Sequence, residues 1–134
     1  MLRRTLLTCS VLLLASMAMP AHAGSGSVEF KPGVIKSALA EGKTVFVDYA
    51  ADWCTTCKRQ ERVVEKLRSE NPAYDNAMTF VRVDWDTYQR DEVRTSRKIP
   101  RRSTLILLKG DKELGRIIAG TSESQIKGLM DKAL

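Results

Sequence analysis

The chain has 134 residues, with 22 Lys and Arg, 16 Asp and Glu, one His and a formal net charge of +6. That length holds one domain at most. The basic residues are scattered among acidic ones, without the basic stripe or binding motif that a nucleic-acid partner calls for.

The first 23 residues read as a secretory signal peptide. Arg3 and Arg4 form a positive start, Leu6 to Met19 an apolar run, and Ala21-His22-Ala23 a small-residue cleavage site. The run falls short of the ~20 residues that cross a bilayer, so a cleaved leader is preferred to a permanent anchor. The very apolar segment after the arginines favours the general export route over the twin-arginine route. Cys9 precedes the apolar core, unlike a lipoprotein site. Cleavage removes Cys9 and His22, and Arg3 and Arg4 with them. The mature chain is then mildly basic. It keeps only Cys54 and Cys57, exported to a compartment where disulfides persist.

Residues 24–30 open with Gly24-Ser25-Gly26-Ser27 and read as a flexible lead-in to a domain over residues 31–134. After Pro32, Val34, Ile35, Ala38 and Leu39 share one helical face, with Gly42 as the stop. Thr44 to Ala50 is β-branched and aromatic, and apolar on both alternating faces except at Asp48. That pattern suits a central strand covered on both sides. From Cys54 to Glu70 a helix is expected, burying Cys57, Val63, Val64 and Leu67 and ending at Asn71-Pro72. Met78 to Trp85 is a second strand, and Thr87 to Lys98 a polar, exposed helix. Ser103 to Gly120 reads as an antiparallel hairpin turning at Lys109 to Lys112. Ser122, with Gln125 three residues on, caps a last helix that buries Ile126, Leu129, Met130 and Ala133. This order predicts a mixed sheet with helices on both faces, the α/β class.

The stretch Asp52-Trp53-Cys54-Thr55-Thr56-Cys57-Lys58 carries the chemistry. At the start of a helix, the two cysteines lie one turn apart, within the roughly 4.4–6.8 Å between Cα atoms that a disulfide requires. They are unequal. Cys54 meets the unpaired N–H groups and the positive end of the helix dipole, which stabilise a thiolate. Cys57 lies deeper in the helix and is expected to stay a thiol until it resolves a mixed disulfide. Three other uses of the pair carry less weight. A structural staple would close only a four-residue loop. Zinc wants four ligands, and no mature His or third Cys remains. A Cu(I) site on the two thiolates is the main alternative, as in a metal-binding or metal-delivery protein.

The segment Val47 to Lys58 resembles the active-site segment of thioredoxin-fold thiol:disulfide oxidoreductases. Asp48 before the first cysteine, Trp53 beside it and Lys58 after the second all fit. The form is most similar to the C-terminal periplasmic domain of the thiol:disulfide interchange protein DsbD and its soluble relatives. The resemblance implies a thioredoxin fold over about residues 30–134. It also implies roles: Asp48 relays a proton to or from Cys57, and Trp53 is a partly exposed aromatic beside Cys54. For Asp48 the alternative is an acid pointing to solvent at a strand end, and for Trp53 ordinary core packing. Arg82 matches a position where a basic residue offsets the buried carboxylate, and it also suits an exposed strand.

Two departures stand out. The family places a cis-proline before the strand that here begins at Thr104. Ser103 falls at that place by register, and Pro100 lies three residues upstream as the other candidate. The backbone of Ser103 and Thr104 is where the resemblance puts substrate binding. Thr55-Thr56 between the cysteines adds no positive charge, which predicts a reducing couple. No organic cofactor is implied. The expected partners are protein disulfides and a thiol electron donor, membrane-bound, and the basic residues Arg97, Lys98, Arg101 and Arg102 either select acidic partners or form a solvated loop. The expected site is periplasmic and the expected state monomeric.

Overall fold

The computed structural model describes residues 26–134. The expected leader and cleavage site lie outside the described residues. Five strands form one sheet in the order β1-β3-β2-β4-β5. The elements run β1 (Val28–Glu29), α1 (Val34–Ala40), β2 (Thr44–Ala50), α2 (Thr55–Glu70), α3 (Ala73–Ala77), β3 (Met78–Asp84), α4 (Trp85–Tyr88), α5 (Glu92–Thr95), β4 (Thr104–Lys109), β5 (Lys112–Ile118) and α6 (Glu123–Asp131).

β2 sits at the centre, parallel to β3 and antiparallel to β4. Alternation of its side chains builds two cores. Val45, Val47 and Tyr49 pack with Val81, Val83, Ile99, Ile106 and the α1 residues Ile35 and Ala38. Phe46 points the other way, with Phe80, Leu105, Leu107, Val64 and Leu67 of α2, and Ile126, Leu129 and Met130 of α6. α1, α4 and α5 therefore cover one face, and α2, α3 and α6 the other. This is the mixed α/β sandwich expected from the pattern.

Two local expectations are corrected and one short element is added. Residues 28–30 are not lead-in: Val28 and Glu29 pair in parallel with Val81 and Arg82, and Phe30 is buried. The single helix expected over Thr87 to Lys98 is two short helices. Asp84 accepts from Thr87 N–H and Asp91 from Val93 N–H, so each aspartate starts a new helix. A short helix, α3, follows the break at Pro72, which begins it from the α conformation. The hairpin turns where predicted, with Gly110 at a φ of 59°. Ser122 caps α6 by accepting from the Gln125 N–H.

Candidate active site

The carboxyl end of β2 delivers the chain into α2, and Cys54 is the residue at the junction. Its backbone is still extended, and its side chain accepts the Cys57 N–H at 3.2 Å. The sulfur thus takes the place that a hydroxyl or carboxylate oxygen takes at most helix starts. Cys54 and Cys57 are joined as a disulfide with Cα atoms 5.3 Å apart, packed against Ala50, Ala51 and Trp85. From the sequence, Cys57 is expected to be the more buried. In this oxidised state burial does not separate them, since Cys54 is 3% exposed and Cys57 2%. What separates them is the helix end: only Cys54 receives a backbone N–H and faces the positive pole of a 16-residue helix.

Ser103, not Pro100, faces the sulfurs. Its Oγ lies 3.1 Å from Cys54 Sγ and 3.0 Å from Cys57 Sγ. None of the described peptide bonds is cis, and Ser103 sits at a φ of 61°. A non-glycine residue there stores strain of order 1 kcal/mol. Three hydrogen bonds hold it. The Ser103 N–H donates to the Tyr49 carbonyl at 2.7 Å, and its own carbonyl accepts from the Ala119 N–H at 2.8 Å. The Gln60 side-chain amide donates to the same carbonyl at 3.0 Å.

Thr104 hydroxyl donates to the Arg101 carbonyl at 2.7 Å. Ser103 and Thr104 are both fully buried. The resemblance puts substrate docking at their backbone; here the Ser103 N–H and carbonyl pair with Tyr49, Ala119 and Gln60. Arg101 and Arg102 remain partly exposed at that edge.

Gln60 escapes sequence reasoning because it is polar, yet it is fully buried in α2 and also donates to the Gly120 carbonyl at 2.9 Å. The signal was its position: it lies three residues after Cys57 and four before Val64, inside the buried stripe. Trp53 is 57% exposed. Its indole N–H donates to the Asp86 carboxylate at 2.9 Å, and the Arg102 guanidinium lies 4.4 Å from its ring centre. Residues 53–54 and 102–103 thus meet as adjacent pairs, Trp53 on Arg102 and Cys54 on Ser103. Arg116 donates to the backbone carbonyls of Arg97 and Lys98, and Arg101 to that of Arg102, fixing the loop before β4.

Asp48 points to the α2 face of the sheet. Its Oδ1 is cut off from solvent and has no hydrogen-bond partner. Burial raises its pKa to about 7, Arg82 pulls the other way, and Glu61 and Glu29 add a smaller upward push. Arg82 is directly across from Asp48 in the β2–β3 register, but its guanidinium reaches Asp52 at 2.9 Å, with Glu29 and Asp84 each at 3.7 Å. Arg82 therefore acts on Asp48 through space. A cleft of about 160 Å³ lined by Asp48, Glu61, Glu65, Arg68 and Arg82 leads to this carboxyl. No group of three or more His, Cys, Asp or Glu placed to hold a metal ion occurs among the described residues.

With this geometry in hand, comparison with known proteins is decisive. The thioredoxin family profile matches residues 27–132. The chain belongs to the thioredoxin family. Among its relatives, thioredoxin-2 of Saccharomyces cerevisiae is 36% identical over 92 residues, covering 68% of this chain and 82% of the yeast protein. Thioredoxin-1 of the same yeast is 32% identical over 91 residues, with the same coverage of 68% and 82%. The crystal structure of Trxlp from Edwardsiella tarda superposes with a TM-score of 0.66 at 34% identity, covering 77% of this chain and 98% of that one. The thioredoxin fold and a thiol:disulfide oxidoreductase activity on the Cys54–Cys57 pair follow for this chain.

Proposed function

We propose that this thioredoxin is an exported, periplasmic reductase of protein disulfides, akin in role to the periplasmic DsbD domain its motif resembles. Export is supported by the leader pattern of residues 1–23, and the reducing direction by the uncharged Thr55-Thr56 dipeptide. The observation that carries the mechanism is Cys54 as the cap of α2, with the Cys57 N–H on its sulfur.

The cycle follows. The Cys54 thiolate attacks one sulfur of a substrate disulfide; that S–S bond breaks and the first substrate sulfur leaves as a thiolate that takes a proton from solvent. Cys57 then gives up its proton and attacks Cys54 Sγ. The mixed disulfide breaks, the second substrate thiol leaves protonated, and the Cys54–Cys57 disulfide forms. Two electrons pass from the dithiol to the substrate. Asp48, whose carboxyl is pushed up to about 7 by burial, is the base that takes the Cys57 proton and then gives it to the departing substrate sulfur. A membrane-bound thiol donor returns two electrons and two protons.

Trapping tests this reading. In the native compartment, Cys57→Ser accumulates mixed disulfides on Cys54 with both substrates and the donor. A Cys54→Ser variant that kept full disulfide-reducing activity would sink it. Export is checked separately, by fractionation and by an amino terminus at Gly24 on the mature protein.

A further inference from the structure

We propose that the Ser103 hydroxyl is a proton bridge between the two sulfurs of the reduced couple, and that it assigns the negative charge to Cys54. The inference rests on the dithiol reading above and adds a catalytic group to it.

A serine hydroxyl has one proton to donate and two lone pairs to accept with. Its Oγ stands 3.1 Å from one sulfur and 3.0 Å from the other. These distances are to the disulfide sulfurs; once the couple is reduced, a hydroxyl so placed accepts from one S–H and donates to the other sulfur at the same moment. The direction of this bridge is set by the rest of the site. Cys54 Sγ already accepts the Cys57 N–H at 3.2 Å at the positive end of α2. A second donor on the same sulfur completes a two-donor cradle for a thiolate, and the Cys57 proton then points to Ser103 Oγ.

The hydroxyl is fully buried, so bulk water does not compete for its proton. Its backbone is pinned by Tyr49, Ala119 and Gln60. Gln60 is the positioning residue, because it ties the Ser103 carbonyl to α2 from the helix that carries the cysteines. During resolution, Cys54 loses its charge to the mixed disulfide. The Cys57 proton passes to the Asp48 carboxylate, charge builds on Cys57 Sγ, and the hydroxyl turns its proton to that sulfur. Cys57 Sγ bonds to Cys54 Sγ, the Cys54–substrate bond breaks, and the proton lost by Cys57 is balanced by the one gained by the departing substrate thiol. Ser103 ends unchanged.

The test is a titration of the reduced full chain that needs no substrate protein: the pH dependence of Cys54 alkylation by iodoacetamide, with thiolate absorbance as a second readout. Ser103→Ala and Ser103→Gly are compared with the wild type. Both remove the hydroxyl, but only glycine relaxes the positive φ. Loss of a charge-assisted hydrogen bond raises the Cys54 pKa by about one to two units in both variants. Below both pKa values, alkylation slows by about 10- to 100-fold. Wild-type titration in both variants would overturn the bridge, as would a shift in only one of them, which would trace it to backbone rearrangement. Should the alanine variant fail to fold, glycine is the residue this backbone favours and carries the test. A wild-type protein that titrates as proposed but reduces no protein disulfide would fail the functional reading and leave the bridge standing.

Discussion

Asp48→Asn is expected to stabilise the oxidised protein above neutral pH. The carboxyl of Asp48 has an ordinary value of 3.8 and is raised to about 7 by burial. Each pKa unit is worth about 1.36 kcal/mol, so about three units set an upper bound of roughly 4 kcal/mol. The side chain keeps some solvent access through its cleft, which lowers the expected gain to about 2–3 kcal/mol. The sign is fixed by linkage. Between pH 3.8 and about 7 the folded state holds a proton that the unfolded chain has lost. The stability contributed by this proton is complete below the unfolded value, falls as pH rises, and is gone above the folded one. Asparagine has nearly the same shape and no charge to bury, so it escapes that loss.

The assay is urea unfolding of oxidised wild type and Asp48→Asn from pH 3 to pH 9, where the disulfide removes the cysteines from the titration. The difference should be flat at low pH, grow through the window and level off near pH 8. At ordinary m-values it corresponds to about 1–2 M in the urea midpoint. A difference that does not change with pH would refute the reasoning.

Three further outcomes follow from the geometry. Gln60→Ala should cost about 2–4 kcal/mol in denaturant unfolding, since it strips the buried carbonyl of Ser103 and the half-buried carbonyl of Gly120 of a donor and leaves a void. Trp53→Ala should change stability by no more than about 1 kcal/mol, because the indole is mostly exposed and its stack on Arg102 is weak in water. The same variant should lower kcat/KM on protein disulfides by about 5- to 30-fold if the indole is a docking anchor. Gly115→Ala should destabilise by about 1–3 kcal/mol, read by thermal unfolding: a Cβ there falls 2.8 Å from Leu129 Cδ1, where β5 meets α6.

The sequence showed the main elements where periodicity was strong. Thr44 to Ala50 is apolar on both faces, and a strand buried on both sides is what that pattern permits. The cysteine pair was legible from its spacing at a helix start, and Asp48 as the lone acid in that apolar strand. β1 was not, because two residues carry no period and owe their conformation to pairing with β3. The break between α4 and α5 was hidden by polar residues whose helix propensity is unremarkable; the capping choice of Asp91 decided it. The place of Ser103 followed from counting along β4, but its positive φ did not. That angle is imposed by Tyr49, Ala119 and Gln60, which lie 16 to 54 positions away in the chain.

Ser103 and its loop are also bound to each other by shape. Proline holds φ near −65° and has no N–H, whereas this position requires a φ of 61° and gives its N–H to Tyr49. A single codon change to proline would therefore meet a loop shaped to reject it. To take a proline, the backbone from about Arg101 to Thr104 would have to be rebuilt together with the residue. Residue and loop form one unit, and Gln60, whose amide holds the Ser103 carbonyl at 3.0 Å, belongs to it.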